Sequence, residues 1–183
     1  MLGNTENRYG LLSRAIHGIM LLLIFGMLGV GMYMADLDKT DELRKELLWM
    51  HTSTGVLVLM LAVVRVTWLK ISPAPRLPVM MDDWEKTLTT LVKSLMYLLM
   101  LLIPIAGILI VNTKGDAVSF YGLFEVPMLT GENKELHELM EEIHELFAFS
   151  LLFLVILHIA GALKHRFFDM SKELDVMKRM FGK

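Results

Sequence analysis

The chain of 183 residues contains no cysteine. Disulfides, thiolate zinc sites, iron–sulfur clusters and haem attached through a C-x-x-C-H motif are therefore all excluded. Proline is scarce: five residues, three of them packed into S-P-A-P-R-L-P at 72–78. Only one proline, Pro104, falls inside a long apolar block. Charge is also sparse where the apolar residues concentrate, with Arg65, Lys93 and Glu145 as the exceptions. Those residues make up 55% of the chain, and they come in long blocks rather than in the short amphipathic stripes of a water-soluble fold. The mean hydropathy is +0.53. The net charge of −2 carries little information, because charge in such a chain is divided by side of the membrane.

Four apolar blocks are present, at about 15–35, 47–69, 88–111 and 143–163. Each is long enough to cross a hydrocarbon core about 30 Å thick. The expected fold is all-α, an integral membrane four-helix bundle forming a single domain over 1–183. The polar start, Met1 to Ser13, and the length of the block after it do not fit a signal peptide. Between the blocks lie the charged linker at 36–46, the proline-rich connection, and a stretch from Asn112 to Glu142 read as polar. Pro104 is expected to kink the third helix without breaking it, since neighbouring groups in a bundle can satisfy the freed carbonyl.

An even number of spans puts both termini on one side. That side, with the middle connection, carries Arg8, Arg14, Lys70, Arg76, Lys86, Lys164, Arg166, Lys172, Lys178, Arg179 and Lys183. The other side carries Lys39, Arg44, Lys45, Lys114 and Lys134. The excess of basic residues predicts cytoplasmic termini.

The fourth block holds two histidines, His144 and His158, fourteen residues apart. On a helix that spacing is an advance of about 21 Å with only about 40° of rotation. Both imidazoles then lie on one stripe, one near each membrane face. His17 opens the first block at the inner face and His51 opens the second at the outer face. Depth alone pairs His17 with His158 and His51 with His144. An ionisable ring in a span faces the bundle interior and marks function, whereas a lone histidine at a helix end is usually interfacial. Four at matched depths point to two haems, each with two axial histidines; such a haem passes single electrons and leaves no open coordination position.

His137 and His165 continue the seven-residue spacing of the fourth helix. The first sits in an acidic run and the second between Lys164 and Arg166, so neither is assigned as a ligand. Gly55, one turn after His51, would let a flat macrocycle approach the second helix or simply serve helix packing. Gly26, Gly29, Gly31 and Gly107 admit the same two readings. Arg65, deep in the second span, suits a haem propionate or snorkels to headgroups. Lys93 suits a propionate or a quinone head group. The sixteen methionines are read as packing.

R-Y-G-L-L-S-R-A-I-H around His17, M-H-T-S-T-G around His51, V-V-R-V-T-W at Arg65, P-I-A-G in the third block and the His144–His158 spacing together resemble the bacterial cytochrome b561 family, from about Arg8 to Met180. The stretch S-F-Y-G-L-F-E-V-P is similar to one branch, whose members are often associated with a periplasmic lipocalin-like, isoprenoid-binding protein. The resemblance implies an inner-membrane bundle with two haem b groups ligated by His17, His51, His144 and His158, exchanging electrons with quinone. A superoxide:quinone type of oxidoreductase is one form this takes. Many relatives carry a histidine where this chain has Lys93, four residues before Tyr97. Membrane lipid is the expected surrounding, with no nucleic-acid partner. Two other readings stand beside the electron carrier: a cytochrome b anchor subunit of a larger oxidoreductase, and a non-redox helical scaffold.

Overall fold

The computed structural model describes residues 1–169 and 171–181, with Lys172 described by its backbone alone. Of the basic residues counted toward the inner side, Lys183 and the side chain of Lys172 thus lie outside the description. Four long helices dominate: α1 (Leu11–Ala35), α2 (Glu42–Ile71), α3 (Asp83–Asn112) and α4 (Lys134–Phe167). All four are long and apolar enough to cross a membrane. A 3-10 turn at Lys172–Leu174 and a short helix, α5 (Val176–Phe181), follow.

The helices overrun the apolar blocks. At about 1.5 Å per residue, the 34 residues of α4 extend about 51 Å, well past a hydrocarbon core. The extra length is polar and capped. Asp41 accepts from Leu43 N–H at 2.9 Å to start α2 ahead of its apolar block. Asn133 accepts from Leu136 N–H at 3.0 Å to start α4 nine residues ahead of Ile143. The segment E-L-H-E-L-M-E-E is therefore helix, not loop. Helix α3 runs unbroken through Pro104.

Packing follows chain order: α1 on α2, α2 on α3, and α3 on α4. The main core joins Ile16, Met20, Ile24, Ala62, Val92, Leu99, Met100, Leu151, Leu154 and Val155. Outward-facing side chains such as Leu22, Phe153 and Ile156 are apolar, as lipid contact requires. By contrast, α4 is not closely packed on α1 or α2, although both carry histidines toward it.

The two ends of the bundle differ. At one end the N-terminal segment, the proline-rich connection and α5 meet: Arg76 N–H donates to the Glu6 carbonyl at 3.2 Å, and Tyr9 N–H to the Arg179 carbonyl at 3.0 Å. Lys164 there joins Glu85 (2.6 Å) and Asp169 (2.8 Å), tying α4 to α3 and to the C-terminal segment. At the other end, the 112–133 connection is neither polar nor irregular throughout. Val118–Phe120 (β1) pairs antiparallel with Phe124–Val126 (β2), in register Val118↔Val126. Tyr121 and Gly122 turn the hairpin at φ 51° and 72°. That double left-handed turn matches the twist of its strands. The hairpin is fastened to α2 by Ser53, fully buried, whose hydroxyl donates to the Ser119 carbonyl at 2.8 Å and accepts from Tyr121 N–H at 3.3 Å.

Candidate haem sites

Both sequence-derived pairs form. The rings of His17 and His158 lie with centres 6.5 Å apart, and those of His51 and His144 with centres 6.2 Å apart. The ring planes are inclined to each other at 73° and 65°. A metal-bound imidazole nitrogen sits about 2.0–2.1 Å from its ion, and about 1.1 Å more reaches the ring centre. Two rings on opposite sides of one ion would therefore have centres about 6.3 Å apart. Among the described residues no group of three or more His, Asp or Glu could hold a metal ion alone. A macrocycle supplies the remaining ligands when haem is held by two histidines. The donor set and the ring spacings thus fit haem.

His144 is the best-defined of the four. Its Nδ1 donates to the Ile103 carbonyl at 3.0 Å, beside Pro104. A carbonyl only accepts, so the proton is on Nδ1 and Nε2 is left free to ligate. Gly107 makes this seat. A Cβ there would lie 3.3 Å from His144 Cε1 and 3.6 Å from Nδ1. The P-I-A-G motif thereby acquires a physical role: it lets an imidazole rest against the backbone of α3. Opposite, Gly31 has the same relation to His51, with a Cβ placed 3.4 Å from Cε1. Nδ1 of His51 is buried without a partner.

At the other end Arg65 stands between two groups. Its Nε donates to the Tyr97 hydroxyl at 3.1 Å, and its second terminal nitrogen lies 3.2 Å from Nδ1 of His17. The remaining terminal nitrogen is buried and unpartnered. A guanidinium cannot accept, so here His17 accepts at Nδ1 and carries its proton on Nε2. Ligation through Nε2 requires the opposite tautomer, which Arg65 could no longer bond. The guanidinium would then turn to an anionic acceptor of the kind its free nitrogen lacks, as a propionate is. Tyr97 was not foreseen as part of this site; its position one helical turn beyond Lys93 was the available signal.

The other candidates are less engaged. Lys93 is half-buried and makes no hydrogen bond or ion pair among the described residues. A Cβ on Gly55 would meet only Met27 Cε, at 3.8 Å, and at Gly26 or Gly29 it would meet nothing within 4 Å. His137 bonds the Ile110 carbonyl and the Thr113 hydroxyl, both at 3.1 Å, and pairs with Glu141 at 3.2 Å. His165 is buried against Asp169 at 2.6 Å. Both sit in polar networks at the bundle ends.

Comparison with known proteins gives the family. The family model described as prokaryotic cytochrome b561 matches residues 8–183. The chain belongs to the prokaryotic cytochrome b561 family. It is similar to "Cytochrome b561 homolog 2" of Escherichia coli (strain K12), 32% identical over 180 residues, covering 98% of this chain and 94% of that one. "Cytochrome b561 homolog 1" of the same organism is 30% identical over 91 residues, about half of each chain. As a cytochrome b561 family member the chain is a multi-pass membrane electron-transfer protein, and the family binds haem b.

Proposed function

We propose that this protein is a di-haem cytochrome that carries electrons across the bacterial inner membrane between a periplasmic redox partner and the quinone pool. The whole chain would act as one four-helix domain with both termini in the cytoplasm, as the bias of basic residues argues. His17 and His158 would hold the inner haem, and His51 and His144 the outer one. The observation that carries the reading is the pair of ring separations, 6.5 and 6.2 Å, at the two ends of one helix.

Haem b, when bound between two histidines, supplies reversible one-electron transfer and no vacant position for oxygen chemistry. The protein does the rest. Fourteen residues of α4 fix the two sites about 21 Å apart along the bundle. Ile103 and Gly107 hold His144 in one tautomer and orientation. Arg65 supplies positive charge beside His17, and Lys93 offers a second cation for an anionic or carbonyl oxygen at the inner end, from a propionate or a quinone. The apolar core at Met20, Val92, Leu99 and Leu154 keeps water from the path between the sites.

The test is haem content per chain in detergent-purified protein, by pyridine haemochrome assay with oxidised and reduced spectra. The reading expects two b-type, low-spin haems. His144→Leu and His158→Leu should each leave one, with distinct potentials. Two full equivalents in either variant, or none in wild type made with ample haem, would overturn the ligand assignment.

A further inference from the structure

The hairpin at the outer end has no place in the haem-site argument, yet it is the least polar part of the connections. From Ala117 to Gly131 only Glu125 is charged. Tyr121, Leu123, Phe124, Met128 and Leu129 are all exposed, Leu123 at 77%. The segment is not a loose loop. Ser53 ties β1 to α2, the Thr54 and Tyr121 hydroxyls are 2.7 Å apart, and Tyr121 meets Trp49 edge to face at 6.1 Å. Fully buried Asn112 donates to the Asp116 carbonyl and accepts from Leu129 N–H, fixing both limbs of the connection to the end of α3.

Its depth is the decisive feature. Val118 is buried with Val56 and Ile108, residues within the spans rather than beyond them. Trp49, half-exposed on α2, is of the residue type that prefers the headgroup level. Ser53 and Val56 lie four and seven residues further into that helix, about 6–10 Å deeper. This is the depth to which interfacial apolar elements settle, about 5–10 Å into the boundary between headgroups and acyl chains. We propose that the 117–129 hairpin is an interfacial anchor, with Leu123, Phe124 and Leu129 embedded among the lipid headgroups and upper acyl carbons of the outer leaflet. Lipid is favoured over a soluble partner because β1 packs on α2 and α3 at the depth of Val56 and Ile108, residues inside their spans. A two-stranded sheet also keeps its unpaired edge groups at the interface, where water and headgroups can satisfy them, instead of in the hydrocarbon. The hairpin would then cover the His51 end of α2 from the side, as a fixed element.

The absence of cysteine makes the test direct. Nitroxide labels at Leu123→Cys and Leu129→Cys, in the haem-loaded full chain in lipid nanodiscs, are relaxed by dissolved oxygen or by a water-soluble nickel chelate. Phe153→Cys serves as the lipid-facing reference and Glu135→Cys as the aqueous one. The proposal expects the oxygen-to-nickel accessibility ratio at both hairpin sites to exceed that at Glu135→Cys several-fold and to approach that at Phe153→Cys. Ratios equal to the aqueous reference would overturn it and leave the tip to a soluble partner. Exclusion of both relaxants would overturn it too, in favour of cover by a second chain. Neither result depends on the haem assignment.

Discussion

Gly107→Ala is the sharpest test of the outer site. The added Cβ would sit 3.3 Å from Cε1 of His144, inside the 3.5–4.0 Å at which carbons pack best. The ring must retreat by some tenths of an ångström, away from a carbonyl it now meets at 3.0 Å. Three effects compete. Alanine stabilises a helix interior by about 1 kcal/mol relative to glycine. Overpacking costs about 1–3 kcal/mol. Weakening a neutral hydrogen bond costs about 0.5–1.5 kcal/mol. The net is a loss of about 0.5–3.5 kcal/mol borne by the ligand's orientation. That is in line with the 10–100-fold losses of affinity common when a ligand's supporting bond is disturbed.

The assay is transfer of haem from the purified variant to excess apomyoglobin, followed optically, with a redox titration of what remains. The outer haem of Gly107→Ala should leave about 10-fold or more faster than in wild type, or shift in potential, while the inner haem is unchanged. Gly161→Ala is the control, since a Cβ there meets nothing within 4 Å. It should leave the outer haem alone. Wild-type transfer and potentials in Gly107→Ala, or loss of the inner haem first, would refute the claim that P-I-A-G seats the outer ligand.

Three further outcomes are expected. Arg65→Gln should lower the affinity or the potential of the inner haem by an amount worth about 1.5–3 kcal/mol, and Arg65→Lys should recover only part of it, because a lysine lacks the fork that bonds Tyr97 and an anion together; redox titration of both variants decides this. Ser53→Ala removes a fully buried hydroxyl from two backbone partners and should cost about 1–3 kcal/mol, seen as faster protease cleavage within 117–131 with the spans intact. Hydrogen bonds from Lys164, and then from His165, hold the Asp169 carboxyl below the usual carboxylate range. A depressed carboxylate lends stability that is complete above its unfolded range and lost as pH falls through the folded value, so hydrogen exchange in α5, corrected for its intrinsic pH dependence, should quicken below about pH 5 and lose that dependence in Asp169→Asn.

The parts of this structure that could be read from the sequence are those set by a one-dimensional repeat. Block length against bilayer thickness fixes the four spans. Fourteen residues is close to four whole helical turns, so His144 and His158 had to share a stripe. Given alternating span direction, depth pairs each of them with one other histidine. What could not be read depends on contacts between elements, or on atoms that every residue has. The Ile103 carbonyl has no signature of its own, and only Pro104 and Gly107 around it hint that the backbone there is exposed. Arg65 reaches Tyr97 and His17 through a rotamer choice made by the packing of three helices. Its free nitrogen shows that the choice leaves one strong donor unused.

The hairpin escaped for a different reason. Its strands are three residues each, too short for alternation to register, and its turn puts Tyr121 where glycine or asparagine is usual. Such a turn persists only if surrounding contacts over-determine it. Here Trp49, Ser53 and Thr54 do so, all from the N-terminal part of α2 and all within three residues of His51. The strain of a left-handed tyrosine, of order 1–2 kcal/mol, is thus held by the same turns of helix that present a proposed ligand. Tyr121→Gly would relieve the strain and keep the turn, but would lose the hydroxyl at Thr54 and the ring at Trp49. If the hairpin is held by those contacts, this variant should loosen it despite the easier backbone. If it is held by the turn alone, the variant should tighten it. Hydrogen-exchange protection of Leu123 N–H, which closes the turn on the Phe120 carbonyl at 2.9 Å, separates the two. The burial of Ser53 and the depth of Val118 favour loosening.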